Sequence, residues 1–198
     1  LLQYIAEMRG LTKQGVGEYD APLCALFLPL DANVLAETKR MAGRYTSAKL
    51  KYVIVIGIGG SNLGAKAVYD ALRGAYDLAN PRMPKLLFLD TLSGDALAKV
   101  SMILDTEVHD SDEILVNIVS KSGNTTESIA NFELLYQALS QRFPDISSRV
   151  VATTDLDSAL WKEGTRCGFG MLAIPAPVGG RFSIFSAVGI FPLLVAGI

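Results

Sequence analysis

Apolar positions follow two rhythms along this chain. From Lys51 onward, short continuous runs of β-branched and aliphatic residues recur: Tyr52-Val53-Ile54-Val55-Ile56, Leu86-Leu87-Phe88-Leu89, Ile114–Val119, Val150-Val151-Ala152 and residues 171–174. Unbroken runs of this length suit strands buried on both faces. Between them the spacing turns helical. It is clearest over 127–143, where Ile129, Phe132, Leu135, Tyr136, Leu139 and Phe143 share one face. Strands alternating with helices imply βαβ units, and therefore an α/β fold: a doubly wound five-stranded parallel sheet flanked by helices.

Residues 1–48 read differently. Short helical patterns are interrupted by Gly15, Gly17, Pro22 and Pro29, and Asp31 then stands as an N-cap before a helix through Val34, Leu35 and Met41. This stretch is expected to be a helical N-terminal lead-in, with residues 49–198 forming the sheet domain. At the other end, residues 183–198 carry no charge. They fall short of the roughly 20 apolar residues of a spanning helix, and Pro192 interrupts them, so a buried helix is expected there. The chain opens at Leu1 and stops inside this run, and both ends read as cuts from something longer. An exposed apolar face is expected near 183–198, where the rest of that longer polypeptide would dock.

Composition changes the picture little. Half of the 198 residues are hydrophobic, 19% are charged, and the net charge is −2. That balance offers no field for nucleic acid or an anionic membrane, so any anion must be held by a local site. Cys24 and Cys167 have no CxxC spacing, and neither a disulfide framework nor a metal site follows from them. A reduced cytoplasmic setting is expected. No secretory leader is visible, nor any internal repeat or low-complexity tract.

In open parallel sheets, ligands sit beyond the carboxyl ends of the strands near the topological switch point, so the loops after the strands matter most. Gly57-Ile58-Gly59-Gly60-Ser61-Asn62-Leu63-Gly64 joins the first strand to a helix reaching about Leu72. Glycines let backbone approach a ligand, and a helix start offers free N–H groups to an anion. A dinucleotide fingerprint would need glycine where Asn62 stands, and a Walker A loop would need lysine where Ala65 stands. Both nucleotide readings fail on spacing; a plain tight turn remains the alternative. After the third strand, Ser120-Lys121-Ser122-Gly123-Asn124-Thr125-Thr126-Glu127 crowds hydroxyls, an amide and a cation at a helix N-terminus. Such a set suits a phosphate monoester. A capping box, with Asn124 or Thr125 capping and Glu127 reaching back, accounts for Glu127 but not for the remaining donors.

These two loops resemble those of the sugar isomerase (SIS) domain. A third segment, Gly179-Gly180-Arg181-Phe182-Ser183-Ile184-Phe185-Ser186-Ala187-Val188-Gly189, is similar to a signature of the glucose-6-phosphate isomerase family, as are VIGIGGSNLGAKAVYDAL and SKSGNTTES, the latter in a bacterial form. The resemblance spans positions 53–189. It implies that Ser61, Ser120, Ser122 and Thr125 hold the substrate phosphate, that Lys121 contributes largely through its backbone, that Gly60 lies against the sugar, and that Arg181 sits near the reacting carbons. Arg181 would there stabilise a cis-enediol(ate) intermediate in aldose–ketose exchange between glucose 6-phosphate and fructose 6-phosphate. No cofactor or metal is implied. The family works as a cytoplasmic homodimer in glycolysis and gluconeogenesis. Its catalytic glutamate, its partner-subunit histidine and its ring-opening lysine follow the GGRFS segment, in a second SIS domain.

His109, the sole histidine, lies in a polar stretch and is expected to be exposed loop, not a substitute base. Two functional classes therefore stand: the phosphate-binding half of an isomerase, or a non-catalytic SIS module that binds phosphosugars.

Overall fold

The computed structural model describes residues 2–13, 19, 23–74 and 77–198. The breakers Gly15, Gly17 and Pro22 lie outside these. Five strands, β1 (Tyr52–Ile56), β2 (Lys85–Leu89), β3 (Ile114–Val119), β4 (Val150–Asp155) and β5 (Gly170–Ile174), form one wholly parallel sheet in the order β2-β1-β3-β4-β5. Each strand coincides with an apolar run in the sequence, extended by one to three residues in β2, β4 and β5. The extension in β4 is polar: Thr153 and Thr154 are wholly buried, so apolar runs alone end that strand too early.

The alternation of side chains divides the core. Tyr52, Ile54 and Ile56 face a layer made by α4 (Gly94–Glu107), α5 (Thr126–Arg142) and α6 (Ala159–Arg166). Val53 and Val55 face α2 (Ala32–Tyr45), α3 (Leu63–Arg73) and α7 (Ala187–Val195). A further helix, α1 (Leu2–Lys13), precedes them. Helices on both faces make the sheet doubly wound, as the uninterrupted apolar runs require. The chain passes from β1 outward to β2 and then back across to β3, which places the switch point between β1 and β3.

Asp31 caps α2 as expected: its Oδ1 accepts from the amides of Asn33 at 2.9 Å and Val34 at 3.1 Å, and its Oδ2 accepts from the Tyr19 hydroxyl. The uncharged C-terminal run forms α7, with Pro192 inside it, and packs against α2 through Phe191 and Tyr45. This narrows the expected apolar face over 183–198 to its first residues. Ala187, Val188, Phe191, Leu193 and Val195 are all buried, against α2, α3 and the sheet; of the large apolar side chains over 182–198, Phe182 (60%) and Phe185 (51%), just before the helix, stand exposed. Among the described residues no helix is long and apolar enough to cross a membrane.

Candidate functional site

The glycine loop leaves β1 through a short 3-10 turn, Gly59–Ser61, with Gly59 at φ +56°. The turn is closed by Asn62. That side chain is wholly buried, and its amide donates to the Gly57 carbonyl at 2.6 Å, while its backbone carbonyl accepts from Lys66 and starts α3. The residue that breaks the dinucleotide fingerprint is thus the one that braces this loop. Ser61 sits half-buried, and among the described residues its hydroxyl has no hydrogen-bond partner.

The glycines here are sites of close approach. A Cβ on Gly57 would lie 3.1 Å from the Val119 carbonyl oxygen, at the end of β3. On Gly60 it would lie 2.3 Å from the carbonyl carbon of Gly180, and on Gly64 2.8 Å from Ile184 Cδ1. Backbone therefore meets backbone between the glycine loop and the Gly180–Phe182 turn. Ser183 adds a hydroxyl bonded to the Gly180 carbonyl at 2.7 Å and directed at the Gly60 carbonyl at 3.4 Å. Gly60 faces this turn directly, a packing role that spacing did not reveal. Arg181 is exposed at the tip of the turn, and among the described residues no group pairs with its guanidinium.

The hydroxyl loop is braced internally. Ser120, 1% exposed, shares a hydrogen bond with the Thr125 hydroxyl at 2.9 Å, and its Oγ also accepts from the Thr125 amide at 3.4 Å. Ser122 is exposed and accepts from the Asn124 amide. Gly123 adopts φ +69°, with Ser158 packed where a Cβ would project. These contacts overturn the expected capping box. Thr125 is the N-cap of α5 but makes no side-chain cap bond, and the Asn124 and Thr125 amides that a box would use are taken by Ser122 and Ser120. Glu127 is left exposed in the first turn, where its charge complements the helix dipole.

Lys121 has its carbonyl held by the Asp155 amide at 3.0 Å and the Thr154 hydroxyl at 3.3 Å, both from β4. Its ammonium turns to the Ala176 carbonyl in the segment leading to Gly179. Asp155 itself has one buried carboxylate oxygen without a partner among the described residues, and burial raises its pKa against the opposing charge of Lys121. The Lys121 tether and Asn62 are features that sequence spacing did not supply. His109 is exposed before β3, at the opposite edge of the sheet, its amide bonded to Glu113.

Two donor-rich loops, each opening a helix on either side of the switch point of a five-stranded parallel sheet, make this an α/β domain of the sugar isomerase kind. The phosphoglucose isomerase family profile matches residues 35–197. The chain belongs to that family.

Among curated relatives, the glucose-6-phosphate isomerase of Mycoplasmopsis synoviae is 35% identical over 165 residues, covering 82% of this chain and 37% of its own. That of Campylobacter jejuni is 38% identical over 148 residues, covering 75% and 34%. A solved hypothetical protein from Thermus thermophilus superposes with a TM-score of 0.78 at 32% identity, over 98% of this chain and 44% of its own. A glucose-6-phosphate isomerase from Chlamydia trachomatis gives 0.67 at 34% identity, over 82% and 30%. The chain spans a little over a third of the length of the Mycoplasmopsis relative and about a third of the Campylobacter one.

Proposed function

We propose that this chain is the phosphate-binding half of a glucose-6-phosphate isomerase. The observation that carries the proposal is the meeting of three loops at one sheet edge, where, among the described residues, the Ser61 hydroxyl and the Arg181 guanidinium have no partner and the hydroxyl loop is braced around Ser120, Ser122 and Thr125. In this reading Ser61, Ser120, Ser122 and Thr125, with the backbone amides of Lys121 and its neighbours, hold the phosphate of a sugar phosphate. Gly60 leaves room for both the sugar and the 180–182 turn.

Arg181 reaches the reacting carbons, where its fixed charge favours the oxyanion of a cis-enediolate over the neutral ground state. Binding energy from the remote phosphate positions those carbons. The base and ring-opening groups, the homodimer and the cytoplasmic setting belong to the full-length enzyme in this proposal.

A second reading, a phosphosugar-binding module without turnover, is favoured by one observation: the sole histidine stands at the far edge of the sheet. Titration with fructose 6-phosphate by calorimetry, beside a coupled isomerase assay, tests both. Binding that is lost by at least about tenfold in Ser122→Ala/Thr125→Ala is expected, that factor matching roughly 1.4 kcal/mol of lost charge-assisted hydrogen bonding. Full retention of affinity in that variant contradicts the phosphate assignment. Turnover by the chain alone removes the module reading.

A further inference from the structure

We propose that the Lys121 ammonium acts as a positioning residue: it fixes the segment carrying Arg181 against the hydroxyl loop, so that phosphate binding and guanidinium placement are coupled. The proposal rests on the sugar-phosphate reading of the site. Lys121 lies in a loop built of anion donors, yet its Nζ is engaged by the Ala176 carbonyl. The other end of the residue is equally fixed, since its carbonyl accepts from Asp155 and Thr154, and the neighbouring Ser120 amide donates to the Thr153 carbonyl at 3.1 Å. One residue therefore joins the loop after β3 to the end of β4 and to the segment after β5.

From Ala176 the constraint has a short path to Arg181. Pro175 and Pro177 flank it with fixed φ angles. The Val178 amide donates to the Pro175 carbonyl at 2.9 Å, and Val178 is wholly buried. The Phe182 amide then donates to the Gly179 carbonyl at 2.9 Å, closing the turn that presents Arg181. Gly60 supports that turn from the opposite side. Packing of Val178 against Cys24, Phe27 and Leu28, and the approach of Gly60, also hold this segment, but among the described residues the ammonium supplies the hydrogen bond that joins it to the phosphate loop.

The experiment compares the unmodified chain with Lys121→Met, Lys121→Arg, Arg181→Ala and Lys121→Met/Arg181→Ala. Affinity is measured by calorimetry for 5-phosphoarabinonate, a sugar-acid phosphate whose carboxylate stands in for the enediolate. Lys121→Met is expected to weaken binding about three- to tenfold, the scale of a partly exposed charge-assisted hydrogen bond. Lys121→Arg recovers the loss, and in the Arg181→Ala background Lys121→Met adds less than about a twofold effect, because coupled residues are non-additive. Fully additive losses would mean that the ammonium acts on the ligand by itself, which overturns the proposal. Hydrogen exchange supplies a readout that needs no ligand: the Val178 and Phe182 amides exchange faster in Lys121→Met and normally in Lys121→Arg. Unchanged exchange in Lys121→Met also overturns it. If the unmodified chain binds no sugar phosphate, the functional reading fails, while the exchange data still decide the tether.

Discussion

A methyl group at position 60 would stand 2.3 Å from the carbonyl carbon of Gly180 and 2.7 Å from the Arg181 amide, both backbone atoms with no rotamer to retreat into. Gly60→Ala therefore forces the two loops apart. Overpacking of this kind costs about 1–3 kcal/mol, which a urea melt detects as a lowered midpoint at unchanged slope. Sugar-phosphate affinity is expected to fall with it, because the displaced turn carries Arg181. An unchanged melt and unchanged affinity would show that the approach is looser than the structure has it. At this scale the sequence was partly legible. Hydroxyls in a row announce an anion loop, since each donor type is visible in the letter code. Asn62 was visible only as a missing glycine, and the brace it makes to the Gly57 carbonyl depends on a backbone path that no spacing rule encodes. The same holds for Ser120 and Ser122, whose use of the Thr125 and Asn124 amides displaced the capping box.

Among the elements, β2 begins with a wholly buried lysine, and its charge is matched by a cluster beside it. Asp77 sits 3.4 Å from Lys85 Nζ and 2.9 Å from Arg82, and the Tyr69 hydroxyl of α3 donates to it. Burial pushes the Asp77 carboxyl up, but the hydrogen bonds from Tyr69 and Arg82, with the charges of Arg82 and Lys85, outweigh it and hold the pKa below its ordinary value. A depressed carboxylate contributes stability above the unfolded-state pKa, near 3.9, and that contribution is lost as pH falls through the lower folded value. The unmodified chain is expected to lose stability below about pH 4, and Asp77→Asn to flatten that part of the profile. At neutral pH, Asp77→Asn leaves Lys85 buried beside a neutral amide, which costs about 3–5 kcal/mol by urea denaturation. A loss below about 1 kcal/mol would place the network in solvent. None of this was legible in sequence, because Lys85 heads an apolar run and its partner lies eight residues earlier in a polar stretch. The strands, except for the polar end of β4, and the Asp31 cap were by contrast readable from local pattern alone. For α7 the pattern showed burial but not the burying partner, because α2 reaches it from residues distant in sequence.

Across the whole molecule the two sheet edges are built differently. At the amino edge, Lys85 is buried against Asp77, and Arg149, 9% exposed, donates to the Ile114 and Asp112 carbonyls while lying over Tyr45. Charge there is neutralised or bonded, as an edge devoted to stability requires. At the carboxyl edge, among the described residues, neither the Arg181 guanidinium nor the Ser61 hydroxyl has a partner, and Phe182 and Phe185 are exposed beside them. The difference supports the proposed site at the edge that the fold class favours for ligands. The order β2-β1-β3-β4-β5 puts the glycine and hydroxyl loops on opposite sides of the switch point, an arrangement implied in sequence only by the family resemblance.

Amide chemical-shift mapping with fructose 6-phosphate tests this placement most directly. The largest shifts are expected at residues 59–64, 120–126 and 180–183, and they should saturate together with one dissociation constant. Shifts centred elsewhere, such as the groove of about 590 Å³ between α5 and α6 lined by Phe132, Tyr136 and Phe169, would contradict the account, as would three loops titrating independently.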